Sequence, residues 1–114
     1  MKLAQKTKNT VFDDLTKNIL STLTGDQKME ILNRYLTKDL MMVFKDKELT
    51  ASMDAFFKNS LNVSETSRNA FMHRNTLLYR IDKITRLTGF NVRDFEDAVA
   101  FKVVELLYRD VYKK

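Results

Sequence analysis

A run of hydrogen-bonding side chains at residues 73–80, with the sequence HRNTLLYR, is the part of the chain best suited to binding. Its arginines, the amide of Asn75 and the hydroxyls of Thr76 and Tyr79 can bond to phosphates or to the edges of bases. His73 is the only histidine and the chain has no cysteine, so a thiolate zinc site and a histidine cluster are excluded. We therefore expect binding rather than catalysis, with no cofactor and no metal.

These side chains lie on one side of a predicted helix over about residues 74–88. Leu77, Ile81 and Ile84 recur at helical spacing and form its apolar face. Gly89 follows and is expected to end the helix in a left-handed conformation. A rotation of about 100° per residue places the other side chains of the first turns opposite the apolar face or on its flanks: Arg74, Asn75, Thr76, Leu78 and Tyr79.

A short helix and a tight turn are predicted before this helix. Ser64 can cap a helix that runs to about Phe71, and two residues then form the turn. A short helix, a turn and a longer helix make up a helix-turn-helix, whose second helix enters the major groove of DNA. We therefore predict this motif at about residues 64–88, with residues 74–88 as the recognition helix.

Positive charge is concentrated in the same segment. The chain has 20 Lys and Arg against 15 Asp and Glu, and residues 64–88 hold five basic and two acidic residues. A basic surface favours a polyanionic partner, whereas residues 89–114 carry five charges of each sign. The distribution favours double-stranded DNA over the alternative, a helical protein-interaction module with a degenerate helix-turn-helix.

Helices are also predicted for the rest of the chain, because it has no proline and only two glycines to form the turns of a β-protein. The expected fold is all-α, a compact bundle of about six helices forming one domain over residues 11–114. Residues 1–10 are expected to be a disordered leader or linker. Apolar residues at helical spacing place the other helices at about Phe12 to Leu23, before Gly25 as a cap, then Asp26 to Phe44, Leu49 to Asn59 and Asp94 to Tyr112.

The last predicted helix is apolar on two sides. Phe95, Val99 and Val103 lie on one side, and Val104 and Leu107 lie on another. One neighbouring element cannot cover both, so we expect this helix to contact a second subunit of a homodimer or an upstream domain. No run of apolar residues is long enough to span a membrane and no secretory signal is present, which indicates a cytoplasmic protein.

The motif HRNTL-x-YRI at residues 73–81, followed by LTG at residues 87–89, resembles the C-terminal helix-turn-helix of the PucR and CdaR type bacterial regulators. The resemblance runs from about Leu49 to Leu107. It implies a sequence-specific DNA-binding domain of a transcriptional regulator, with ligand-sensing domains upstream in longer members. A looser resemblance to the Fis-type helix-turn-helix assigns His73 and Arg74 to bases and Thr76 and Tyr79 to phosphates. The full predicted DNA-binding set is Ser64, Thr66, His73, Arg74, Asn75, Thr76, Leu78, Tyr79, Arg80 and Lys83.

Overall fold

The computed structural model describes residues 10–113, which form seven α-helices and no strand. The all-α prediction is confirmed. The predicted leader lies outside the described residues, apart from Thr10, which caps the first helix. None of the helices in the described range is long and apolar enough to cross a membrane. The helices are α1 (Val11–Thr22), α2 (Gly25–Tyr35), α3 (Lys38–Lys45), α4 (Lys47–Lys58), α5 (Val63–Asn69), α6 (Arg74–Thr88) and α7 (Phe95–Tyr112).

The second predicted helix is divided into α2 and α3, which raises the number of helices from about six to seven. Thr37 separates them in an extended conformation, with φ −95° and ψ 168°. Its hydroxyl accepts a hydrogen bond from the amide of Leu40 at 3.0 Å. A threonine that bonds to the backbone in this way favours a helix start over a helix interior. The chain therefore breaks at Thr37, although the spacing of its apolar residues continues across the break.

Two helix ends differ from the sequence prediction. Gly25 begins α2 instead of ending α1, because Thr24 and Gln27 form a reciprocal pair of backbone-to-side-chain hydrogen bonds at 2.9 and 3.1 Å. Asn62 caps α5, since its side-chain oxygen accepts from the amide of Glu65 at 2.8 Å. Ser64, which was predicted to be this cap, therefore lies inside the first turn of α5.

Residues Leu36–Lys102 form one compact unit that contains α3 to α6 and the first part of α7. Leu77, Ile81 and Ile84 of α6 are buried, as predicted. The unit also contains an aromatic cluster around the fully buried Phe101, whose ring centroid lies 5.3 to 6.1 Å from three other rings in edge-on geometry: Phe44, Phe57 and Phe90. Burial of one face of α6 leaves the other face at the surface of this unit.

The second unit contains residues 10–35 and 103–113 of the described chain, with α1, α2 and the second part of α7. Leu32 is fully buried, and Lys28 of α2 forms an ion pair with Asp110 of α7. No residue of α1 is buried. Three apolar side chains spaced four residues apart on α1 are 50 to 55% exposed: Val11, Leu15 and Ile19.

Three non-glycine residues that flank α5 have left-handed backbone, two before the helix and one after it. Ser60 and Leu61, with φ of 57° and 60°, precede this helix, and Phe71, with φ of 53°, follows it. The amide of Leu61 donates to the carbonyl of Phe56, and the amide of Met72 donates to the carbonyl of Ser67, both at 3.0 Å. These bonds close the C-terminal turns of α4 and α5, a role that usually falls to glycine. The ring of Phe71 is 95% exposed.

Gly89 adopts the predicted left-handed conformation, with φ of 81° after α6. A Cβ at this position would meet no atom within 4 Å, so a substitution is strained only through the backbone. We expect Gly89→Ala to lower the free energy of unfolding by about 1 kcal/mol in urea denaturation. Gly25→Ala is the matched control, because Gly25 lies in a helix with equally open surroundings and should gain about 0.5 kcal/mol. Equal effects of the two changes would contradict the assigned cap.

Candidate nucleic-acid interface

His73 is the N-cap of α6. Its backbone is extended, with φ −63° and ψ 137°, and its Nδ1 accepts a hydrogen bond from the amide of Asn75 at 3.1 Å. An imidazole that accepts through Nδ1 is neutral and carries its proton on Nε2. The exposed His73 ring therefore presents one donor at the start of α6, next to the amides of the first turn, which attract anions.

A hydrogen bond joins the first turns of the two motif helices. Arg74 Nη1 donates to Ser64 Oγ at 3.0 Å, and both residues are exposed. The contact is available because Asn62 takes the capping role and leaves the Ser64 hydroxyl at the surface. Arg74 is thus held at the N-terminal end of α6 by one nitrogen, while the rest of its donor fork remains available to a ligand.

The outer face of α6 carries most of the predicted set. Asn75 and Tyr79 are exposed, the latter by 60%, and Thr76, Leu78 and Lys83 are half-buried. Side chains on this face alternate with the buried Leu77 and Ile81 at helical spacing. The structure therefore brings amide, hydroxyl, ammonium and apolar groups together along one exposed helix surface.

Ion pairs neutralise part of the positive charge of the motif. Arg68 pairs with Glu65 at 2.6 Å, and Arg86 pairs with Asp82 at 2.8 Å. The hydrogen bond and the charge of Asp82 raise the pKa of Arg86 above its ordinary value. Glu65 and Asp82 are the two acidic residues in the segment 64–88, and both are therefore engaged in ion pairs. The three cations without a carboxylate partner inside the described motif are Arg74, Arg80 and Lys83.

The comparison with protein families decides what this arrangement is. Residues 49–105, half of the chain, match the profile of the PucR C-terminal helix-turn-helix domain. The chain belongs to this family. The match covers α4 from residue 49 onward, all of α5 and α6, and the part of α7 up to residue 105, so it includes both helices of the helix-turn-helix in this PucR-type domain.

Three of the curated relatives of this PucR-type domain have names that describe regulators. The carbohydrate diacid regulator of Escherichia coli is 33% identical over 85 residues, which cover 75% of this chain and 22% of the relative. The proline-responsive transcriptional activator PutR of Bacillus subtilis is 35% identical over 75 residues, or 61% of this chain and 18% of the relative. The purine catabolism regulatory protein of Bacillus subtilis is 26% identical over 65 residues, or 57% and 12%. The chain spans less than a quarter of each of these three relatives, and no solved structure matches it.

Thr66 is the member of the predicted set that does not reach the surface of the PucR-type domain. It is fully buried in α5, and its hydroxyl donates to the carbonyl of Asn62 at 2.7 Å. A threonine at this position of a helix satisfies its hydroxyl within its own helix and presents its methyl group to the core. The Thr66 side chain therefore cannot contribute a surface donor.

Arg80 has a different environment from the other cations of the PucR-type domain. Its Nη1 donates to Ser52 Oγ at 2.9 Å, and Ser52 is fully buried in α4. Glu48 Oε2 lies 3.9 Å from Nη2. The sequence does not predict that Ser52 and Glu48 contact Arg80, because they precede it by 28 and 32 residues and no local pattern connects them.

Proposed function

We propose that the chain is a sequence-specific DNA-binding domain of a bacterial transcriptional regulator, with α6 in the major groove. The observation that carries the proposal is the two-sided character of α6. Leu77, Ile81 and Ile84 hold one face in the core, and the other face presents donors that match base edges and phosphates. The transcriptional regulators among the relatives support the same function.

The proposed contacts divide by their position on α6. His73 and Arg74 lie at its N-terminal end and contact base edges, where an arginine fork can bond to guanine. Thr76 and Tyr79 contact phosphates. The remaining surface residues of the predicted set contribute to phosphate or apolar contacts with the groove: Ser64, Asn75, Leu78, Arg80 and Lys83.

A homodimer and an upstream ligand-sensing domain are further parts of the proposal. The exposed apolar stripe of α1 and the exposed Phe95 and Val103 of α7, at 72 and 39%, are surfaces that such partners cover. The greater length of the relatives supports a longer parent protein. Two copies about a twofold axis would bind half-sites about 34 to 36 Å apart, or a multiple of this distance, in an inverted repeat. We also propose that the protein acts in the cytoplasm and is not an enzyme.

Selection from a random library of double-stranded DNA, followed by fluorescence anisotropy, tests the proposed function. We expect an enriched sequence to bind at least tenfold more tightly than a scrambled duplex of the same length, since specific contacts discriminate by several kcal/mol. The apparent affinity should also fall steeply between about 50 and 200 mM salt, because phosphate contacts release counterions. Equal binding of both duplexes, or no binding at low salt, would contradict sequence-specific recognition.

A further inference from the structure

Arg80 is fixed at one end and accessible at the other. Ser52 Oγ donates to the carbonyl of Glu48 at 2.9 Å and accepts from Arg80 Nη1 at 2.9 Å, so both functions of this buried hydroxyl are used. The Arg80 side chain is 23% exposed. An arginine held in this way loses little further conformational freedom when its remaining donors bind a ligand.

A cleft of about 380 Å³ lies beside Arg80, between the start of α4 and the outer face of α6. Thr76, Tyr79 and Lys83 line it from α6, and Asp46 and Glu48 line it from α4. Asp46 is the cap of α4, and its carboxylate accepts from the amides of Glu48 and Leu49 at 3.0 and 3.1 Å. The cleft therefore contains the two cations Arg80 and Lys83 and the hydroxyls of Thr76 and Tyr79. Of its two carboxylates, only that of Glu48 is not used in a helix cap.

Glu48 makes only a weak ion pair with Arg80. Their closest atoms are 3.9 Å apart, and the Glu48 side chain is 80% exposed. Exposed pairs at this distance contribute little to stability, and the carboxylate can rotate into water at small cost. An anion that fits the cleft better can therefore replace it next to Arg80.

We propose that this cleft receives a backbone phosphate of DNA, held by Arg80 and Lys83, and that Glu48 competes with that phosphate for Arg80. The inference rests on the proposed function and adds a residue of α4, outside the helix-turn-helix, that limits affinity. Glu48 repels the phosphate while it lies near Arg80, so the free energy of binding includes the displacement of its carboxylate. The effect is independent of sequence, because phosphates carry no base identity.

The variant that tests this inference is Glu48→Gln in the full chain, with DNA affinity measured by anisotropy. We expect roughly threefold to tenfold tighter binding at low salt, the size that follows from removing one like charge near a phosphate at the protein surface. The gain should be equal for selected and scrambled duplexes. It should shrink as salt increases, because exposed charges are screened.

Glu65→Gln and Asp82→Asn are matched controls. Each removes one exposed acidic charge from the motif. The carboxylates removed are paired with Arg68 and Arg86 and not with Arg80. They therefore measure how much DNA affinity rises when the net charge of the protein increases by one. The gain in affinity from Glu48→Gln must exceed this general effect. A second measurement repeats Glu48→Gln in an Arg80→Gln background, which removes the positive charge at residue 80. The specific gain should disappear there.

Three results would overturn the inference while the unsubstituted chain still binds DNA. The first is a gain in affinity from Glu48→Gln that is no larger than the gain from the controls. The second is a gain in affinity that persists in the Arg80→Gln background. The third is a loss of affinity, which would mean that Glu48 orients Arg80 for DNA. Failure of the unsubstituted chain to bind any duplex would overturn the proposed function itself.

Discussion

Replacing Arg74 by alanine is expected to weaken binding to the selected DNA by about 1 to 3 kcal/mol, roughly fivefold to 150-fold. The guanidinium lies at the N-terminal end of α6 and is oriented by Ser64 at 3.0 Å. Its remaining donors can make a bidentate contact with one base, so discrimination at one base pair should be lost together with affinity. Repeating the selection from random DNA with the variant measures both effects.

Arg86→Ala is the control for Arg74→Ala. It removes the same charge from the same helix, but Arg86 lies in the last turn and is already paired with Asp82. We expect at most a small loss of affinity, equal for selected and scrambled duplexes. If the two variants weaken binding equally and leave the selected sequence unchanged, Arg74 acts only through its charge and the recognition surface lies elsewhere.

Replacing Phe101 by alanine is expected to lower the free energy of unfolding by about 3 to 5 kcal/mol. Its ring is fully buried and makes edge-on contacts with Phe44, Phe57 and Phe90. Truncation leaves a cavity bordered by three rings in the unit that holds α6. Since a small domain is stable by only about 5 to 15 kcal/mol, urea denaturation should show a large shift of the midpoint.

Phe95→Ala is the matched control for Phe101→Ala. The residue lies on the same helix, but 72% of its surface is exposed. Its truncation should change the free energy of unfolding by less than about 0.5 kcal/mol, as is usual for surface substitutions. A large loss for Phe95→Ala, or a small loss for Phe101→Ala, would contradict the burial assigned to α7.

The sequence predicts α6 well because its apolar residues are spaced for one face. Leu77, Ile81 and Ile84 recur over two turns, and Gly89 supplies a stop signal that the backbone follows. Helical periodicity of this kind depends only on local geometry. The same spacing places the exposed donors of α6 opposite the core, and most of the predicted site therefore lies on one surface.

Helix starts and long-range contacts were less predictable. Asn62 and Ser64 are both favourable caps two residues apart, and the local sequence does not decide which of them bonds to the helix. Thr66 lies in the short helix where polar residues suggested a surface, but its methyl group is buried and its hydroxyl is satisfied by Asn62. The bond between Arg80 and Ser52 depends on how α4 packs against α6, which no spacing in the sequence encodes.

The left-handed residues around α5 have a consequence for local opening of the chain. Ser60, Leu61 and Phe71 store backbone strain of order 1 kcal/mol each, and the helix between them has only seven residues. Opening α5 releases this strain and exposes two buried side chains, Val63 and Thr66, whereas opening α6 exposes three larger ones, Leu77, Ile81 and Ile84. The amide protons of α5 should therefore exchange with solvent at a lower free energy than those of α6. Within the motif, the first helix is the part that can adjust its position while the second stays fixed.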